Sequence, residues 1–308
     1  YLYNKRVKFK DGYHPTLNQI FVRKEHRRKG YATEMVKDLL IRCNFQVLNG
    51  KEVFDLAGKR DDEILLIKTL LNIDGLLEQH AKSLKVLADF LSAIPLVVSV
   101  KTNRGVLLDG VVYSRFNLPV MTLATLEDLL FEESLPHVYS VKGKHLVKID
   151  KERMRRSRKA KGYTMEELSK LVGVSVKTIY EIETGKVDPM KETAEKLEEV
   201  LGDELILPYK LTASIETVRI TPPTHLAKFV SEKLNEWHVD NSYVYSISIN
   251  LVGKRVKSVA TCVIDSNKRR GDVSFLKHFG RFFKCWISTI TNKPLRTPEI
   301  EVPMISKE

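Results

Sequence analysis

The chain has no run of eighteen apolar residues, which excludes a membrane-spanning helix. No positively charged stretch leads into an apolar one near the N-terminus, so no secretory signal is read. Cysteine is scarce: Cys43, Cys262 and Cys285 lie far apart and form no CxxC pair. That spacing argues against zinc ribbons and a disulfide framework. It favours a reducing, cytoplasmic setting in which the three are small buried hydrophobes. Internal repeats and low-complexity tracts are missing as well.

What remains is length, apolar content and positive charge. The 308 residues, 43% of them hydrophobic, suffice for two or three domains with cores of their own. The net charge of +12 is unevenly placed: residues 1–30 hold nine Lys/Arg against two acidic residues, and residues 212–308 hold fifteen against nine. Basic ends around a neutral middle suggest contact with a polyanion, whether nucleic acid or a phosphorylated cofactor; plain solvation of the basic ends is the bland alternative.

Four segments separate. Residues 1–42 read as a basic strand, loop and helix, and 43–149 as an α/β domain. In the latter, "EILLIKTLL" and "PLVVSVKT" are strand-like, and "DGLLEQHAKSLKVLADFLSAI" has helical apolar spacing. The runs "GVVYSRF", "LPVMTL" and "ATLEDLLF" continue the alternation, and "VYSVKGKHLVKI" predicts a hairpin turning at Lys142-Gly143-Lys144. Residues 150–210 are all-α. Residues 212–308 form a basic α+β domain: a helix after Pro222-Pro223, strands over 243–250 and 256–265 joined near Gly253, and an aromatic-rich helix from Val273. In that helix Phe275, Phe279, Phe282 and Trp286 recur at three and four residues, which makes one packed face with Lys277, His278, Arg281 and Lys284 outside it. Stacking on single-stranded nucleic acid is the rarer alternative. The run "NKRRG" (267–271) reads as a loop.

The helical segment carries a mechanism. "KERMRRSRKAK" (151–161) has seven basic residues and one acidic, with Gly162 as a stop. Thr164 can cap the next helix, and Glu167 stands at the capping-box spacing. Gly173 suits a sharp reversal, Val174 an apolar plug, and Ser175 the cap of a further helix whose inner face is Ile179 and Ile182. Val176, Lys177, Thr178, Tyr180 and Glu181 are left facing outward, as a recognition helix requires. This pattern resembles the Cro/repressor-like class of helix-turn-helix proteins. The resemblance implies that Glu183 and Gly185 end the recognition helix, that Leu197, Val200 and Leu201 complete the core, and that Met165 stands where relatives often carry a polar phosphate contact.

"FDLAGKRDDEILLIKTLLNID" (54–74), "LADFLSAIPLVVSVKTNRGVLLDGVVYSRFNLPVMTLATLEDLL" (87–130) and "VKID", with the motif, resemble a family of archaeal helix-turn-helix transcriptional regulators over residues 43–210. The same stretch is similar to restriction-endonuclease-like cores, in which two carboxylates hold magnesium and a lysine sits beside the attacking water. Asp55 and Lys68 match that pattern, whereas the second carboxylate position is Leu66, so either a degenerate core serving as scaffold or plain strands with Lys68 at an exposed edge is expected.

The basic N-terminus offers a rival. A strand at Ile20 to Val22 runs into Arg27, Arg28, Lys29, Gly30, Tyr31 and Ala32 and then a helix, a context in which backbone N–H groups can cradle a pyrophosphate. It resembles the coenzyme A loop of the GNAT acetyltransferase superfamily, which implies an acetyl-CoA-dependent N-acyltransferase formed by the two chain ends; a partial, non-catalytic copy or a basic strand–helix packed on the second segment is the alternative. The main expectation is a cytoplasmic, DNA-binding transcriptional regulator without cofactor, metal or membrane partner. It would act on double-stranded DNA as a homodimer. Lys177, Thr178, Val176, Tyr180 and Glu181 would face the groove, Thr164 and Ser175 would cap helices near phosphate, and Arg153, Arg155 and Arg156 would supply nonspecific attraction. A structural adaptor using the motif for protein contacts is a third possibility.

Overall fold

The computed structural model describes residues 7–9, 12–14, 31–131, 136–141, 143–211, 218–246, 248–255, 258–264 and 273–291. The chain divides into two compact units, one of residues 1–103, 116–118 and 212–308, the other of 104–115 and 119–211.

The first unit begins with a small hairpin, β1 (Val7–Phe9) and β2 (Gly12–His14), which forms a sheet of its own. Helix α1 (Tyr31–Arg42) buries Met35, Val36, Leu39 and Leu40, the stripe that helical spacing dictates. That face lies against β3 (Gln46–Asn49) and β4 (Leu56–Arg60). β4 continues through a tight turn into β5 (Glu63–Asn72), antiparallel to it, with Arg60 Nη2 and Glu63 Oε2 2.9 Å apart across the turn. Helix α2 (Glu78–Leu91) then crosses over to β6 (Ile94–Lys101), which runs parallel to β5. The six central residues of β6 are all buried, as a parallel strand covered on both faces requires.

The C-terminal part of this unit adds helix α8 (His225–Glu236) and a four-stranded sheet in the order β12 (Asp240–Tyr243), β13 (Leu251–Lys254), β14 (Ser258–Ile264), β15 (Trp286–Thr291). Helix α9 (Val273–Phe283) links the parallel pair β14 and β15. Arg219 ties this part to α2, its guanidinium bonding Asp89 at 2.8 Å and lying 4.7 Å from the centre of the Phe90 ring.

Three expectations are corrected by the structure. The strand anticipated over 243–250 stops at Tyr243. Ser246 Oγ accepts from the Ser248 and Ile249 amides at 3.1 and 3.2 Å, so local side-chain bonds replace a ladder. Gly253 is no turn but lies within β13, opposite Asn241 and Val259; a Cβ there would meet Val239 Cγ1 at 2.9 Å. The buried stripe of α9 is Phe275, Phe279 and Phe283, with Phe282 half-buried and Trp286 exposed at the start of β15. The helix closes too early to carry Trp286: Lys284 takes a left-handed φ of 53° and the Cys285 amide returns to Gly280 O at 3.1 Å. Burial pushes the Cys285 thiol up to about 12. The basic loop anticipated at 267–271 lies outside the described residues.

The second unit holds β7 (Val111–Arg115), β8 (Leu118–Met121, from Pro119 on), helix α3 (Leu123–Phe131), β9 (Val138–Val141), β10 (Lys144–Ile149) and β11 (Ile206–Leu207), with strand order β11-β10-β9-β7-β8. β9 and β10 form the hairpin anticipated at Gly143, whose φ is 81°. Between β10 and β11 lie α4 (Lys151–Ala160), α5 (Met165–Val172), α6 (Val176–Thr184) and α7 (Lys191–Leu201).

Phe279 is fully buried, with the Phe54 ring centroid 6.4 Å away. Phe279→Ala is therefore expected to cost about 3–5 kcal/mol in urea denaturation of the full chain. A loss below about 1 kcal/mol, the scale of a surface substitution, would show that α9 does not pack on Phe54.

Candidate nucleic-acid interface

Each of the four helices is delimited by its own sequence. Asp150 Oδ1 accepts from the Arg153 amide at 2.9 Å at the start of α4. Thr164 and Glu167 make a reciprocal capping box: Thr164 Oγ1 accepts from Glu167 N at 3.1 Å, and Glu167 Oε2 accepts from Thr164 N at 2.8 Å. The Thr164 backbone N–H, then its hydroxyl, hold the Glu167 carboxyl below the usual carboxylate range. Gly173 ends α5 with φ of 80°, a left-handed geometry that costs glycine nothing. Ser175 then starts α6, its Oγ accepting from Thr178 N at 3.0 Å.

The helices enclose Met154, Leu168, Val172, Ile179, Ile182, Ala194, Leu197 and Leu201. Val174, Val200 and Met165 pack partly buried against them, so Met165 serves the core. Val147 and Ile149 of β10, with Leu205, belong to the same cluster, which makes the motif continuous with the strands before and after it.

Inside this core sits a charge pair. Arg158 Nε donates to Glu183 Oε1 at 2.6 Å and Nη2 to Oε2 at 3.2 Å, while Nη1 donates to Tyr163 O at 2.8 Å. Both residues are buried. The bidentate fork joins α4 to the last turn of α6 and fixes their rotation with a directional contact that apolar packing does not supply. Local spacing offers no hint of a pair 25 residues apart. The available signal is that Arg158 stands one turn beyond buried Met154 on the inner face of α4.

The loop after α6 is tied down too. Asp188 Oδ2 accepts from Lys148 Nζ at 2.6 Å and from the Tyr139 hydroxyl, and Pro189 O accepts from Val147 N at 3.0 Å. Burial first, then Asp188, raise the Tyr139 hydroxyl above its ordinary range.

Against that anchored side stands an open one. Val176 and Tyr180 are 41% and 45% exposed, and the Lys177 side chain is 81% exposed. Thr178 and Glu181 are half-buried; the Thr178 hydroxyl is 2.8 Å from Ser175 Oγ, and Glu181 Oε1 is 3.8 Å from Lys177 Nζ. Lys186, which the sequence reading missed, sets its ammonium 5.1 Å from the Tyr180 ring centre. Arg155 is exposed. Arg153 is engaged with Glu204 O at 2.9 Å, and Arg156 Nε reaches Glu152 O at 3.4 Å.

In the first unit Lys68 Nζ donates to Asp55 Oδ1 and to Glu52 O, both at 2.9 Å. Asp55 Oδ2 accepts from the Thr69 amide at 2.7 Å and its hydroxyl at 3.0 Å, and Leu66 is fully buried.

Comparison with known proteins bears on both units. Residues 30–136 match the family model of the PD-(D/E)XK superfamily domain, and residues 154–205 that of a helix-turn-helix. A protein of Archaeoglobus fulgidus named as an HTH-type transcriptional regulatory protein is 38% identical over 173 residues, 55% of this chain and 56% of that protein. One of Thermococcus kodakarensis with the same description is 32% identical over 260 residues, covering 83% of this chain and 82% of that protein. One of Thermococcus gammatolerans is 29% identical over 261 residues, with the same coverage. The chain belongs to this family of archaeal HTH-type regulatory proteins.

Residues 30–136 thus form a PD-(D/E)XK domain, and magnesium is the group such a core implies. The residues present do not fit one: Leu66 replaces the second carboxylate, and both oxygens of Asp55 are held by Lys68 and Thr69. Among the described residues no group of three His, Cys, Asp or Glu is placed to hold a metal ion. The acetyltransferase reading gains no support. Residues 27–30 lie outside the described residues, while Tyr31 opens α1 and Ala32 is buried on it. β1 and β2 share no sheet with β12 to β15. Among the described residues no helix is long and apolar enough to cross a membrane.

Arg158→Met strands the Glu183 carboxylate in the core and is expected to cost about 3–5 kcal/mol by chemical denaturation. Adding Glu183→Leu should recover much of the loss. A single variant as stable as the parent would contradict a buried pair.

Proposed function

We propose that this regulator binds double-stranded DNA through α6, as a homodimer in the cytoplasm. The observation that carries the reading is the asymmetry of α6. Ile179, Ile182 and Glu183 are buried, while Val176, Lys177 and Tyr180 stand exposed. A helix held on one face and open on the other suits insertion into a major groove.

The N-terminal turn of α6 then reads base edges. Lys177 and Thr178 reach bases or phosphate, and Val176, Tyr180 and Glu181 line the same face. Glu181 accepts from a cytosine amino group, where Lys177 nearby offsets its repulsion from phosphate. The capped N-termini at Thr164 and Ser175 lie against the sugar–phosphate backbone, where amide dipoles favour an anion. Arg155, with Arg153 and Arg156, adds sequence-independent attraction. One motif reads few base pairs, so two copies on a two-fold site with half-sites one helical turn apart, about 34–36 Å, complete the recognition unit.

Lys177→Ala with Thr178→Ala is expected to lower affinity for a selected binding site by about 1–3 kcal/mol per lost base contact, with little change on random duplex. Equal loss on every sequence would move both residues to the phosphate backbone. Binding with no dependence on salt would point instead to a protein partner for α6.

A further inference from the structure

Outside both the PD-(D/E)XK and helix-turn-helix stretches, α9 carries a second concentration of positive charge. Residues 273–298 contain five Lys/Arg and no Asp or Glu. Phe275, Leu276, Phe279 and Phe283 bury the inner face. Lys277, His278, Arg281 and Lys284 are all exposed. Lys277, Arg281 and Lys284 follow one another at four and three residues, which sets them in one row along the outer face. Trp286, two residues on, is 51% exposed.

Most of the other charged helices pair at least one cation with an acidic side chain. Lys37 pairs with Glu34 on α1, Lys82 with Glu78 on α2, Arg153 with Asp150 at α4, Lys177 with Glu181 on α6, Lys191 with Glu195 on α7 and Lys233 with Glu236 on α8. On α9 no acidic side chain stands at the pairing positions, and Lys277, Arg281 and Lys284 make no ion pair among the described residues. A row of like cations without internal counter-charges is self-repelling, and binding a polyanion relieves that cost. The helix is firmly seated by its aromatic inner face, so the cations are presented on a rigid element.

We infer that the outer face of α9 is a second, sequence-independent DNA contact, with Lys277, Arg281 and Lys284 on phosphates and Trp286 beside them. The occupant is duplex DNA, the polyanion that the α6 reading already supplies, and the inference rests on that reading only for the identity of the nucleic acid.

The test uses the full chain and a random-sequence duplex, with fluorescence anisotropy measured across a salt series. Lys277→Ala, Arg281→Ala and Lys284→Ala together are expected to reduce the slope of log affinity against log salt by about 2–3, three phosphate contacts at about 0.9 each. Arg281→Lys should leave the slope as it is, because the charge stays. In a Trp237→Phe background Trp286 is the remaining tryptophan, and its fluorescence should change on duplex addition and cease to change in the triple variant. An unaltered slope together with a silent Trp286 would overturn the proposal and leave α9 as a solvated face or a site for an acidic protein. The two readings fail separately. The α9 variant affects all sequences alike, whereas Lys177→Ala with Thr178→Ala affects discrimination.

Discussion

Burying a guanidinium and a carboxylate in a cluster of leucine, isoleucine and methionine is costly unless each satisfies the other, and that constraint organises the helical unit. Arg158 and Glu183 meet in a bidentate fork, with the third guanidinium bond going to Tyr163 O. A pair of this kind adds little net stability, because desolvation offsets most of the attraction. Its value is directional. Apolar side chains such as Ile179 and Ile182 tolerate small rotations of α6, but a fork with two short hydrogen bonds does not. The rotation of α6 decides whether Lys177 and Tyr180 point outward.

A second set of bonds acts just past the same end of that helix. Asp188, three residues past Gly185, collects the Tyr139 hydroxyl and Lys148 Nζ, and the adjacent Pro189 carbonyl joins β10. Val147 and Ile149 supply apolar surface to the helical core from the same strand. The helix-turn-helix is thus built into a sheet, with the hairpin β9–β10 bracing the loop that follows its recognition helix. Removing those strands would expose Met154 and Leu205 along with the motif's own core.

Local chemistry was the legible part. Thr164, Glu167, Gly173, Ser175 and Gly185 each declare a helix boundary through a short-range rule, and each stands in the expected role. The alternation of strands and helices over 43–149 is equally local, since it follows from apolar period. Errors arose where a long-range partner or a loop decides the outcome. Arg158 looks like one cation among seven until Glu183 is beside it. The serines and asparagine of 244–250 alternate with apolar residues like a strand, yet Ser246 binds backbone amides and ends the ladder. Trp286 fits the aromatic period of α9 but falls beyond its last turn, so Phe283 takes the buried place.

The PD-(D/E)XK core shows the same logic in reverse, a pattern whose polar residues bond one another. A catalytic version needs two carboxylates left free to bind a cation and a lysine left free to act on water. Here Lys68 is neutralised by Asp55, and the remaining oxygen of Asp55 is filled by Thr69. Leu66 extends the hydrophobic face where the second acid would stand. Each change converts a group that would serve a ligand into one that serves the fold: an ion pair between β5 and the residue before β4, and an uninterrupted apolar strand. Restoring a carboxylate at Leu66 would bury a charge among fully buried neighbours such as Leu65 and Ile67. As they stand, the residues of this core serve the fold: Asp55 and Lys68 satisfy each other, and Leu66 packs among apolar neighbours.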